Sequence, residues 1–297
     1  MKRLRLFTVV VVGLMLMLPL IASARTIEPV VSGTWLEQNL FTPNLVILDV
    51  RKVEEYRAGH IPKAANVFYG AWAVKRKALL NELPAPYDLP DLIGLAGINK
   101  DSRVVVVGKM DTPTDRVDAT RVYWTLKYMG IDNTAILDGG YNKWVSDKKP
   151  TSLEAVGTAG APYKGVVNPN LFVKKDYVLS KLGKAVIVDV REAEFYKGEK
   201  KMPFVAKAGR IKGAVNLPTS LVYKSDGTYK SKEELAAIAA PVVGTDKAKE
   251  IILYCDTGKF CTAWAIMLAD VIGYGDVKVY DGSSQEWLAD PTAPVEP

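Results

Sequence analysis

The same pattern is written twice along this chain, about 140 residues apart. Leu45-Val46-Ile47-Leu48-Asp49-Val50-Arg51 leads to Glu54-Glu55-Tyr56, Gly59-His60-Ile61 and Asn66. Ala185-Val186-Ile187-Val188-Asp189-Val190-Arg191 leads to Glu194-Phe195-Tyr196, Gly209-Arg210-Ile211 and Asn216. Later landmarks keep the order: 104–107 matches 251–254, and Leu137-Asp138-Gly139-Gly140 with Trp144 matches Tyr280-Asp281-Gly282-Ser283 with Trp287. The offset is 140 residues at Asp49 and Asp189 and 143 at the tryptophans. A near-constant offset of that size means two duplicated domains, not a short-period solenoid. In each copy, continuous Val/Ile/Leu runs alternate with helical patterns. Such runs suit strands buried on both faces, so each copy should be an α/β domain, a mainly parallel sheet flanked by helices. Residues 149–168, rich in Pro, Gly, Ala and Ser, read as a linker between a first domain at 25–148 and a second at 169–297.

The first residues belong to neither copy. Lys2, Arg3 and Arg5 precede an apolar run from Leu6 to Ile21, and Ala22-Ser23-Ala24 has the small-x-small form of a cleavage site. Residues 1–24 therefore read as a secretory signal peptide, with a bacterial periplasm as destination and no stable membrane insertion once it is cut. The alternative is an uncleaved anchor, which Pro19 disfavours. Loss of those three basic residues takes the formal charge from +6 to +3. A weakly basic chain without basic clusters makes no case for nucleic acid. Two cysteines and a single histidine, His60, exclude a disulfide framework and argue against a Cys/His zinc site. No cofactor is implied.

The copies differ where chemistry would sit. Ile251-Ile252-Leu253-Tyr254 is an apolar run that ends in Cys255. The loop Asp256-Thr257-Gly258-Lys259-Phe260 follows, and a helical pattern begins around Cys261-Thr262. Cys255 thus lies at the carboxyl end of a buried strand, facing a helix start, where amides converge and favour a thiolate. The competing reading is a core cysteine, a common fate of free thiols. Alignment of the strand ends sets Gly108 opposite Cys255. The first copy therefore lacks the nucleophile, and its expected part is to pack against the second and wall the cleft.

In this order and duplicated, Asp-Val-Arg, Glu-Tyr, Gly-His-Ile-Pro and Ala-Asn resemble the early signature of the rhodanese superfamily. Residues 226–235, and Tyr280-Asp281-Gly282-Ser283 with Glu286-Trp287, resemble later segments of its tandem-domain thiosulfate and mercaptopyruvate sulfurtransferases. The resemblance spans the chain beyond the leader. It implies an enzyme in which Cys255 takes a sulfane sulfur from a small-molecule donor, holds it as a persulfide among the amides of 256–261, and passes it to a thiol or cyanide. No histidine base is needed if loop dipoles keep the thiol ionised. Thiosulfate-using relatives often carry Arg or Lys just after the cysteine. Asp256 stands there instead and should disfavour a dianion, so a polysulfide or organic persulfide fits this loop at least as well. Two alternatives compete with it: a non-catalytic persulfide carrier or redox-binding module, and a cysteine-dependent phosphatase or arsenate reductase of similar fold. The last needs Cys-x5-Arg, and Cys261 holds the arginine's place.

Other residues read two ways. Lys259 orients an anionic donor or is solvated at a loop tip. Asp189 and Arg191 reach the pocket or, as their repetition in the first copy suggests, serve the fold. Arg210, in place of the histidine of the first copy, adds charge near the cleft or lies on the surface. Trp144 and Trp287 read as core, His60 as a feature of its loop, and Gly258 as a position needing an unusual backbone angle. Cys261 is a resolving thiol, or a small residue turned into the helix packing, which a splayed loop would favour.

Overall fold

The computed structural model describes residues 25–157 and 160–297; residues 1–24, where a signal peptide is expected, lie outside the described residues. The first copy contains β1 (Val30–Val31), β2 (Leu45–Asp49), β3 (Ala64–Asn66), the hairpin β4 (Val74–Arg76) and β5 (Leu79–Glu82), then β6 (Arg103–Val107) and β7 (Thr134–Leu137). The second contains β8 (Phe172–Val173), β9 (Val186–Asp189), β10 (Arg210–Ile211), β11 (Val215–Asn216), β12 (Ile251–Tyr254), β13 (Val277–Tyr280) and β14 (Val295–Glu296). Each copy builds a five-stranded parallel sheet, ordered β1-β7-β6-β2-β3 and β8-β13-β12-β9-β11. The two orders are the same order, and helices cover both faces. The expected α/β duplication is therefore present.

The repeated signature residues form the same lattice twice. Arg51 grips Asp49 and donates to the Gly59 carbonyl, and Arg191 grips Asp189 and donates to the Gly209 carbonyl. Asn66 and Asn216 each donate to two strand-end carbonyls, those of Asp49 and Arg51 or of Asp189 and Arg191. Trp144 and Trp287 are buried and donate to the Pro150 and Pro294 carbonyls. Buried carboxylates and guanidinium groups persist only when paired, which is why Asp-x-Arg recurs at both strand ends.

The domains share one core. The Asp118–Tyr128 helix of the first copy packs on the Cys261–Ile266 helix of the second, and both are buried nearly all round, as helices held between layers are. Their equivalent threonines meet: Thr120 Oγ1 lies 2.8 Å from Thr262 Oγ1. The linker runs along the first domain, pairing Ser152 with His60 and reaching the Pro90 and Tyr128 carbonyls through the Tyr163 and Asn168 amides. His60 is buried, stacked on Tyr56, with its ring nitrogens at the Tyr56 and Glu154 carbonyls. Among the described residues no helix is long and apolar enough to cross a membrane.

Candidate active site

Strand pairing brings the two copies to the same point. The Val50 amide bonds the Val107 carbonyl, and the Val190 amide bonds the Tyr254 carbonyl, so Gly108 and Cys255 are topologically equivalent. Cys255 follows the last residue of β12, a central strand, and is 1% exposed. The chain then turns through 256–260 and enters the Cys261–Ile266 helix.

The turn needs two unusual backbone angles. Gly258 has φ +71°, and a Cβ there would collide with the Asp281 carbonyl, so glycine is required on both counts. Ser283, with φ +49°, occupies the place of Gly140 (φ +57°) in the first copy. Its hydroxyl explains the exchange. Ser283 Oγ donates to the Tyr280 carbonyl at 2.8 Å and accepts from the Cys255 and Gly258 amides at 3.2 and 2.9 Å. All of its hydrogen-bonding capacity goes to anchoring the loop.

The folded-back loop surrounds the sulfur. Burial alone would push the Cys255 thiol up. The Cys261 S–H and the amides of Thr257, Cys261 and Phe260, all directed at Cys255 Sγ, outweigh burial and bring it down to about 6. At neutral pH the residue is a thiolate held by backbone dipoles, without a histidine. Asp256 beside it is pushed up to about 7, first by burial and then by the Cys255 charge, with Arg191 opposing. Arg191 Nη1 lies 3.7 Å from Asp256 Oδ1, an atom that is buried and accepts no hydrogen bond.

The other expected site residues divide. Lys259 is neither solvated nor free: it is 6% exposed, paired with Asp118 and seated 4.2 Å over the Tyr69 ring, both in the first domain. Thr257 Oγ1 accepts from Asn81 Nδ2 at 2.9 Å, and the Phe260 carbonyl accepts from Thr219. Asp189 serves the strand-end lattice and accepts from the Tyr254 hydroxyl. Arg210 is held away from the loop, by Glu296 of β14 and the Tyr196 carbonyl and ring. Cys261 lies within hydrogen-bonding reach of Cys255 through its amide and its thiol, and that thiol is pushed well above the usual range, by burial and by the neighbouring thiolate.

Four further contributors went unread in the sequence, three of them in the domain without the cysteine. Arg121, fully buried, donates to the Gly258 carbonyl (2.6 Å), the Asn81 carbonyl (2.7 Å) and Asp281 (2.7 Å). Asn81, on strand β5 of the β4–β5 hairpin, and Asp118 complete the brace. A lone arginine in the apolar stretch 117–128 was a usable signal for Arg121. Ser283, the fourth, was visible as the exchange of the second glycine of a repeated Asp-Gly-Gly.

The Rhodanese-like domain family matches residues 32–147 and 175–290. The sulfur carrier protein TtuD of Thermus thermophilus is 31% identical over 278 residues, covering 88% of this chain and 93% of that one. A putative thiosulfate sulfurtransferase of Mycolicibacterium smegmatis is 31% identical, covering 91% and 98%. The thiosulfate sulfurtransferase of Azotobacter vinelandii is 29% identical, covering 88% and 94%. Among solved structures, the anaerobic ergothioneine biosynthesis enzyme from Chlorobium limicola superposes with a TM-score of 0.80 at 24% identity, over 90% of this chain and 70% of that one, a likeness of fold. With two matched domains, identical sheet orders and a cysteine at the strand end of one copy only, this chain belongs to the rhodanese family as a tandem-domain sulfurtransferase.

Proposed function

We propose that Cys255 carries sulfane sulfur as a persulfide, taking it from a polysulfide or organic persulfide in preference to thiosulfate and giving it to a thiol or cyanide. One observation carries this reading: three amides and a thiol converge on a buried sulfur whose pKa has fallen to about 6. That cradle suits an anion on sulfur both before and after loading. The donor preference rests on charge. The loop's lysine is spent on Asp118, and Asp256 sits beside the nucleophile, so little free positive charge faces an incoming dianion. Mercaptopyruvate, a monoanion, falls between. The basic start, apolar run and small-x-small site of residues 1–24 support export, with the sulfur exchange taking place in the periplasm.

A second reading, a carrier that loads but does not turn over small acceptors, draws support from the TtuD relative, named a sulfur carrier protein. A panel of thiosulfate, mercaptopyruvate and inorganic polysulfide, each with cyanide or a dithiol as acceptor, separates the two. The sulfurtransferase turns over, fastest with polysulfide, and mass spectrometry finds the extra sulfur on Cys255. Stable loading without turnover favours the carrier. Transfer by a folded Cys255→Ser protein would sink both.

A further inference from the structure

Cys255 and Cys261 are the only thiols of the chain, and both are free. Each is buried, at 1% and 0% exposure. A second cysteine that merely filled space would turn its sulfur into apolar packing. Cys261 instead presents both its amide and its S–H to Cys255 Sγ. Its backbone is held there by the fold: the Thr262 and Ala263 amides bond the Lys259 and Phe260 carbonyls, and Thr262 meets Thr120 of the other domain.

Resting on the persulfide reading above, we propose that Cys261 is a resolving thiol, which attacks the inner sulfur of the Cys255 persulfide and gives the enzyme a second outcome, release of hydrosulfide. The step balances as follows. Cys261 S–H passes its proton to the terminal persulfide sulfur and attacks Cys255 Sγ. The Cys255–Cys261 disulfide forms, the bond to the terminal sulfur breaks, and that sulfur leaves as HS⁻, reduced at the expense of Cys261. A dithiol reductant then returns both cysteines to thiols and is itself oxidised to a disulfide.

Burial decides which sulfur each thiol can reach. Cys255 Sγ is sealed from solvent, so an external acceptor meets the terminal sulfur first, and attack there is transfer. Cys261 lies beside the inner sulfur, six residues on at the far end of the same loop, and attack there is release. The internal thiol has the advantage of proximity. Its high pKa works against it, because little thiolate is present until the terminal sulfur accepts the proton. Transfer should therefore win while an acceptor is present, and release should follow when none is.

The test uses the full chain loaded with inorganic polysulfide, desalted without oxygen and left without acceptor. Hydrosulfide is trapped over time. Non-reducing tryptic digests are then mapped, since cleavage after Lys259 places Cys255 in 250–259 and Cys261 in 260–278. Wild type should release one hydrosulfide per loaded chain while the two peptides become cross-linked, and added cyanide should suppress both. Cys261→Ser should hold its persulfide, with release slowed roughly tenfold or more. A persulfide on 250–259 that is stable in wild type, or release unchanged in Cys261→Ser, overturns the resolving thiol alone. Failure of wild type to place any extra sulfur on 250–259 overturns the underlying sulfur-transfer reading as well. If Cys261→Ser does not fold, the presence or absence of the cross-linked pair in wild type decides.

Discussion

At the scale of single residues, the site is a contest between two neighbouring acids. Cys255 ionises at about 6 and Asp256 at about 7, and each charge opposes the other. They titrate as a coupled pair. Alkylation of Cys255 by iodoacetamide should accelerate as pH rises through about 6, because the thiolate is the reactive form. Asp256→Asn removes the like charge and should move that rise to lower pH. A profile that does not move would show that the two groups do not interact. Asp256→Arg goes further, replacing repulsion by attraction. It should raise thiosulfate turnover relative to polysulfide severalfold at low salt, with the gain shrinking as ionic strength rises. The placement of Cys255 and the backbone angle of Gly258 were legible in the sequence, because a cysteine after an apolar strand and a glycine in a tight loop have local causes. The fate of Lys259 was not, since a cation in a loop reads the same whether it meets solvent or a half-buried aspartate 141 positions away.

At the scale of elements, legibility followed burial. The runs at 45–49 and 186–189 sit in sheets covered on both faces, so their composition announced them. The hairpin of β4 and β5 did not announce itself: its residues are half-buried or exposed and mixed in polarity, and nothing local marks it. Yet its second strand delivers Asn81 to the loop after Cys255, while the Leu80 and Leu83 amides bond Gln285 and Asp281. The loop itself was located correctly but its path was not, because that path depends on Ser283, which arrives from the end of β13. Gly258→Ala tests the element. A Cβ at φ +71° is strained, and here it also meets the Asp281 carbonyl. The substitution should cost about 1–3 kcal/mol in urea denaturation. It should also shift the alkylation profile of Cys255 to higher pH, because the displaced amides no longer hold the thiolate. A destabilised protein with an unmoved profile would mean that the cradle does not depend on this turn.

At the scale of the molecule, the domain without the cysteine supports the one that has it. Duplication was readable from the repeat, but the interface was not, because contacts between copies leave no periodic trace. The structure sets the two post-loop helices against each other and turns Arg121 across the boundary, where one guanidinium joins the Gly258 carbonyl, the Asn81 carbonyl of β5 and Asp281. The pair is almost wholly sealed, with the Arg121 side chain at 0% exposure and Asp281 at 14%. Arg121→Met keeps much of the side-chain volume and removes the charge. Asp281 is then left buried without its partner, so the variant should lose about 3–5 kcal/mol. Adding Asp281→Asn removes the orphaned charge, and the double variant should be more stable than the sum of the single losses predicts. The carbonyl of Gly258 stays unbraced in both cases. Stability should therefore recover in part in the double variant, while alkylation of Cys255 stays shifted to higher pH in both. If the alkylation profile instead recovers together with stability, Arg121 acts on the loop only by keeping the domains folded together. If it stays displaced, the first domain sets the reactivity of a cysteine it does not contain.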